Sequence, residues 1–371
     1  MIRSLAYGIP LLLLWQACDP EPKPPSGDLT GIPYTPQAYV FPELPYFFPE
    51  MPVPAGNPMT VDGVALGRFL FYDPILSTGN TIACASCHRL DRAFADDKAL
   101  SLGMGGQQTK RNAPSLANVG FYEKGLFWDG RAKTLEELVL QEMTDPLVMA
   151  NNFGDLVESL RSHADYPARF RKAFGIAGKS EITEDLAAKA LAQFLRTLVS
   201  YRAKYDYANW DRGVETDFYS ESELRGKIIF TTEPAVDPTQ PHPGCSHCHN
   251  NTALVTTNEF LNNGLDPALE PEDFPDPGLG GITKKNIDYG RFRVPTLRNV
   301  ELTAPYMHDG RFQTLEQVLE HYSSGGHYSY NVEAHILPFS LSEQNKEDLI
   351  AFLKSMTDQK FLQENSYKNP F

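Results

Sequence analysis

The sequence predicts an all-α fold in which one small helical domain occurs twice. Three observations carry this. Apolar residues recur at helical spacing with no convincing strand alternation, short segments repeat in the same order in the two halves, and each half holds one Cys-x-x-Cys-His run. The 371 residues, 42% hydrophobic and 22% charged, suit a soluble globular chain and exclude fibrous, disordered and membrane-spanning classes. Such a length predicts about two domains. The net charge of −14 disfavours nucleic acid or an anionic membrane as partner and leaves a cationic partner open.

At the N-terminus, Arg3 is followed by the apolar run Leu11 to Trp15 and then Gln16-Ala17-Cys18, a stretch too short to span a bilayer. Residues 1–18 therefore read as an export signal. The small residue before Cys18 resembles the bacterial lipoprotein cleavage site, whose cysteine is kept and lipidated, with Trp15 a departure where that pattern usually has Leu. The alternative is plain secretion with an incidental Cys. The Pro-rich stretch that follows suits a tether over residues 19–51.

Of the five cysteines, the other four form Cys84-Ala85-Ser86-Cys87-His88 and Cys245-Ser246-His247-Cys248-His249. In this pattern the two thiols form thioethers to haem vinyl groups and the next His sits under the iron, which makes His88 and His249 the proximal ligands of two covalent c-type haems. Zinc and a redox dithiol are the alternatives. The pairs lie about 160 residues apart, zinc requires no His directly after both, and a dithiol needs a single pair without His. Haem attachment of this type takes place outside the bacterial cytoplasm, in keeping with the export signal and a periplasmic or envelope location.

Helical periodicity places elements at Val61 to Phe71 before the first motif, Glu184 to Tyr205, Ser220 to Phe230 before the second motif, Thr314 to Tyr322, and Ser342 to Met356 with Ser342 as cap. Pro234 to Gly244 and the acidic Asp266 to Gly281 read as surface loops. The repeat is explicit. Arg111 to Val119 is echoed by Val294 to Val300, and Trp128-Asp129-Gly130-Arg131 with Thr134-Leu135-Glu136 by His308-Asp309-Gly310-Arg311 with Thr314-Leu315-Glu316. The expected fold is two tandem class-I cytochrome c-like haem domains related by internal duplication, over residues 52–211 and 218–361.

Two haem motifs, Arg111-Asn112-Ala113-Pro114, Phe127-Trp128-Asp129-Gly130-Arg131 and the run Thr303-Ala304-Pro305-Tyr306-Met307-His308-Asp309-Gly310 stand in order, and in this the chain resembles the bacterial di-haem cytochrome c peroxidase family, which includes MauG. The resemblance covers roughly residues 50–360. It implies that hydrogen peroxide is cleaved at the N-terminal haem, that the C-terminal haem receives electrons from a small donor protein, and that Trp128 couples them. It also implies a calcium site using Asn112 and carbonyls of Thr303 and Pro305, hard oxygen ligands that suit calcium; Asn112 is equally a turn residue. Where members with a Met sixth ligand carry it, fourteen residues after His308, this chain has Tyr322, as MauG-like members do. A phenolate stabilises oxidised iron. His321 points off the same helical face and is the weaker candidate.

The peroxide pocket departs from the family. The positions of its distal His, Gln and Glu hold Met104, Leu138 and Val148, so the usual acid–base group is missing. Glu142 and Asp145 are close enough to substitute, or an ordered water serves instead. Met104, in the glycine-rich run Ser101 to Gly106, either ligates the first iron or packs against the haem. The leading expectation is a peroxidase-class oxidoreductase fed by a small, cationic donor. The alternatives are MauG-like oxidation of a residue on a partner protein and a non-catalytic di-haem electron carrier or redox sensor.

Overall fold

The computed structural model describes residues 27–210, 217–233 and 243–371. Cys18, the leader and the start of the tether lie outside the described residues, as does most of the loop from Pro234 to Gly244.

Helices form the body of both halves. In the first, α1 (Val61–Tyr72), α2 (Leu135–Thr144), α3 (Phe153–Ser162), α4 (Tyr166–Phe174) and α5 (Glu184–Thr197) surround one core. After the connecting α6 (Lys204–Trp210), the second half contains α7 (Glu221–Thr231), the one-turn α8 (Gly280–Thr283), α9 (Leu315–Ser323) and α10 (Glu343–Lys354), and α11 (Gln359–Gln363) closes the chain. Thr60, Thr134, Thr183, Ser220, Thr314 and Ser342 each accept a first-turn N–H with their hydroxyl, so these helices start where the sequence supplies a cap. Two strands of two residues each, β1 (Phe260–Leu261) and β2 (Phe292–Arg293), pair antiparallel with Phe260 opposite Arg293. Two residues carry no readable alternation, and this pairing escapes sequence reading.

The same local geometry recurs in both halves. α1 crosses α5 at Gly67, where a Cβ would sit 1.9 Å from the Ala190 carbonyl oxygen, and α7 crosses α10 at Gly226, where it would sit 1.9 Å from that of Asp348. Beside each crossing an aromatic pair, Phe71 with Phe194 and Phe230 with Phe352, has centroids 5.3 Å apart at 58°. The backbones can touch only because glycine has no side chain. Gly226→Ala is therefore expected to cost about 1–3 kcal/mol, the range for overpacking, measured as a lower denaturation midpoint. An unchanged midpoint would mean that α7 and α10 separate freely.

The expected single run from Glu184 to Tyr205 breaks after Thr197 and resumes at Lys204. Tertiary bonds take the backbone between. Asn118 bonds to Leu198 and Ser200, and the Asp358 carboxylate accepts from the N–H groups of Tyr201 and Arg202, at 2.9 Å each. These satisfy groups that would otherwise have continued the helix.

Residues 27–51, read from sequence as part of a tether, are packed on the protein. Leu29 lies in the first core, while Met51 with Phe121 and Val199 of the first half joins Ala253 and Leu254 of the second. Apolar side chains between the prolines cover both halves like a strap. The chain end also crosses back: Phe361 and Tyr367 belong to the first core, and the Tyr367 hydroxyl donates to the Thr197 carbonyl at 2.5 Å. Among the described residues, no helix is long and apolar enough to cross a membrane.

Candidate functional site

Each Cys-x-x-Cys-His motif coils into a 3-10 turn, Cys84–Ser86 and Cys245–His247, whose backbone brings the His back beneath the first Cys. The His88 N–H donates to the Cys84 carbonyl at 2.9 Å and that of His249 to Cys245 at 3.1 Å. Six residues on, each chain turns at a non-glycine residue with positive φ, Phe94 at 60° and Val255 at 50°. Those turns aim a carbonyl at the ring: His88 Nδ1 bonds to Phe94 O at 2.8 Å and His249 Nδ1 to Val255 O at 3.1 Å. A carbonyl only accepts, so Nδ1 holds the proton and Nε2 keeps its lone pair for a metal. Burial depresses the pKa of both rings, that of His249 to about 4, which keeps them neutral as a ligand requires.

Burial also pushes the thiols of Cys84 and Cys245 up to about 12 and that of Cys248 to about 11. All four cysteines are unpaired, as thioether attachment needs. Among the described residues, no group of three or more His, Cys, Asp or Glu side chains is gathered to hold a bare metal ion. A zinc centre is unsupported, and a planar apolar cofactor fits.

The second site is a cavity of about 230 Å³ lined by Cys245, Cys248 and His249, by apolar residues such as Leu319 and Leu353, and by Tyr322. Tyr322 thus lines the same cavity as His249. Its hydroxyl accepts from Asn263 Nδ2 at 3.3 Å, and burial raises the phenol to about 12. His321 does not line the cavity; its Nε2 bonds to the Asn263 carbonyl at 3.0 Å.

Trp128 belongs to the first half yet lines the cavity of the second, with 8% of its surface exposed. Its indole N–H donates to the Asn112 carbonyl at 2.9 Å, and the Asn112 N–H donates to the His308 carbonyl at 2.8 Å. His308 stacks on Phe292 with centroids 3.6 Å apart. Arg111 lies over the same Phe292 and is clamped by Asp276 through two bonds of 2.7 Å and by Asp129. Asn112, Thr303 and Pro305 also line this cavity, with the Asn112 amide nitrogen donating to the carbonyls of Lys98 and Ala99. Sequence reading missed Asp276, Phe292 and Arg293. Asp276 had no readable signal, because its partner Arg111 lies 165 residues away.

Leu138 and Val148, like Cys84 of the first motif, pack against the first core. Met104 opens a 3-10 turn whose N–H bonds to the Val148 carbonyl at 3.1 Å, while its sulfur accepts from the Thr81 hydroxyl at 3.4 Å. Glu142 lies one helical turn beyond Leu138 on α2. Its charge is felt by the thiols of both Cys84 and Cys87, and Arg131 lies 3.8 Å away. Desolvation, reinforced by Asp145 and opposed by Arg131, pushes its carboxyl up to about 7. Its side chain is 29% exposed, and this partial exposure leaves it open to a small polar molecule.

Comparison with known proteins fits this arrangement. The family model described as di-haem cytochrome c peroxidase matches residues 61–213. The chain is 33% identical to the methylamine utilization protein MauG of Methylorubrum extorquens, over 83% of this chain and 81% of that one. It is 35% identical to the cytochrome c551 peroxidase of Nitrosomonas europaea, over 83% and 84%. A solved structure, that of a MauG-like protein associated with microbial copper homeostasis, superimposes with a TM-score of 0.78 at 33% identity, covering 88% of this chain and 98% of that one. Paired haem motifs, a Trp shared between the halves and this similarity along most of both lengths place the chain in the di-haem cytochrome c peroxidase family, as an oxidoreductase carrying two c-type haems.

Proposed function

We propose that this protein reduces hydrogen peroxide to water at the His88 site, with electrons entering from a small donor protein at the His249 site. The observation that carries the reading is the position of Trp128, a first-half residue built into the second cavity. When bound, the haems supply the redox chemistry, the first as the place of peroxide cleavage and the second as the electron entry. The reaction takes up two electrons and two protons per peroxide and releases two waters. The chain's own part is to move protons and hold the electron bridge. Glu142, with a carboxyl near 7, takes a proton from one peroxide oxygen and returns it to the other, the role left open by Leu138 and Val148. The hydrogen bond to Asn112 keeps the Trp128 indole in one orientation.

The test is peroxide-dependent oxidation of a reduced small cytochrome by the holoprotein, pre-reduced and supplied with calcium. Activity is expected; no oxidation of any reduced donor overturns the reading. An acidic chain, at −14, favours a cationic donor.

MauG-like oxidation of a partner protein's residue is the second reading, favoured by the place of Tyr322 in the lining of the cavity that also holds His249. Tyr322 is read as the sixth ligand of the second haem. Tyr322→Phe is expected to raise the midpoint potential of that haem, since a hard anionic ligand favours the oxidised state. Spectroelectrochemical titration measures it, and an unchanged potential would mean that the phenol only packs.

The finer features belong to the same reading. Two cytochrome c-like domains related by duplication, over 52–211 and 218–361, are supported by the paired glycine crossings and the paired His-to-carbonyl bonds. Calcium at Asn112, Thr303 and Pro305 is supported by their common place on one cavity wall. Met104 serves the first site as a packing residue, its sulfur engaged by Thr81. Cys18, with its preceding small residue, anchors the protein in the periplasm by a lipid.

A further inference from the structure

Three arginines lie where the two halves meet, Arg298 and Arg293 buried and Arg111 half-buried, and they are satisfied differently. Arg298 is fully buried and meets the Asp206 carboxylate through two bonds of 2.8 and 2.6 Å. Arg111 is clamped by Asp276 and Asp129. Arg293, 4% exposed, has no carboxylate partner among the described residues. Its Nε donates to the Phe127 carbonyl at 3.0 Å, and its guanidinium lies 4.5 Å from the Tyr122 ring centroid. Its Nη1 is buried without any hydrogen-bond partner.

Arg293 also hydrogen-bonds the side chain of Tyr122, yet a buried guanidinium with no carboxylate partner still costs several kcal/mol. A chain that pairs the other two arginines and leaves this one open therefore has a place for an anion. That place is the second cavity, whose lining includes Arg293 together with Tyr122, Trp128 and His249. Arg293 is tied to the bridge directly, since its backbone N–H donates to the Trp128 carbonyl at 2.9 Å. A porphyrin attached at Cys245 and Cys248 brings two propionate carboxylates into this mainly apolar chamber, and guanidinium meets carboxylate in a planar fork.

We propose that Arg293 binds a propionate of the second haem, holding the carboxylate edge of that porphyrin against the Trp128 wall. The inference rests on the reading that this cavity holds a c-type haem. It assigns Arg293 a positioning role, and it makes the guanidinium a fixed positive charge that favours the reduced state of the second haem.

The test uses the full-length holoprotein. Arg293→Gln is expected to lower the ratio of reduced to oxidised second haem at a fixed ambient potential by roughly tenfold, about 59 mV for a one-electron couple. The first haem should keep its potential, and Arg293→Lys, which keeps the charge, should restore most of the shift in the second. An unchanged second potential in Arg293→Gln with both haems attached overturns the proposal. A second potential that in the wild type follows chloride concentration at fixed ionic strength also overturns it, because a small solution anion would then be the partner. If Arg293→Gln fails to load haem, resonance Raman spectra of the wild type decide. A hydrogen-bonded propionate bending mode supports the assignment, and a mode at the frequency of free haem overturns it. Intact mass separates the underlying reading: one covalent haem in place of two removes the reading and the proposal together, whereas two haems with an unshifted potential remove only the proposal.

Discussion

Glu142→Gln is expected to lower kcat/KM for hydrogen peroxide by about 10²–10⁴, the usual contribution of a positioned acid–base group, while both haems stay attached and the second keeps its potential. Glutamine preserves size and polarity but cannot exchange a proton near neutral pH. The sign of the pH dependence follows from the raised carboxyl. Below about 7, Glu142 is protonated and cannot accept a proton from peroxide, so activity falls as pH drops through that value. Above it, the ionised form accepts. The wild-type profile of kcat/KM should therefore show an acid limb near 7, and Glu142→Gln should lose it. The groups that share the field of Glu142 are Arg131 and Asp145, which pull in opposite directions. Arg131→Gln is accordingly expected to move the limb upward. A Glu142→Gln enzyme with wild-type rates and an unaltered profile would assign proton transfer elsewhere.

Asp206→Ala is expected to destabilise the holoprotein by roughly 3–5 kcal/mol, because it leaves the Arg298 guanidinium buried without its counter-charge. Arg298 also donates to the Ala253 carbonyl at 2.5 Å and lies over Phe48 of the N-terminal strap, so the pair stands where α6, the second haem motif's loop and the strap meet. Chemical denaturation followed by haem absorbance measures the loss. Asp206→Leu combined with Arg298→Met removes both charges and should cost less than the single change, with a remainder from the bond to Ala253. A single variant as stable as wild type would mean that water reaches the guanidinium in the folded state.

The two haem-attachment motifs were legible because they are local. Cys84, Cys87, His88 and their counterparts at 245, 248 and 249 are set by a spacing of a few residues, and thioether geometry depends on little else. Helix starts were legible for the same reason, since Thr60, Ser220 and Ser342 cap within three residues of themselves. The break in the run from Glu184 to Tyr205 was not. It depends on Asn118 and Asp358, which meet residues 198–202 only after folding. The strap was hidden by its prolines, which suit a free tether and a packed one alike until apolar neighbours are supplied.

The sequence by itself determined the two haem-attachment motifs; only through the family resemblance did it lead to the expectation of a Trp that links the halves, a Tyr where other members place Met, and a peroxide pocket without its usual acid. Tertiary structure decided which residues complete that chemistry. It placed Glu142 near the first motif, joined Arg111 to an aspartate 165 residues away, and left Arg293 without a carboxylate partner at the second cavity. The physical reason is range. Covalent attachment and capping act between residues a few positions apart, whereas desolvation and charge pairing act between whatever the fold brings together, at sequence separations that carry no pattern.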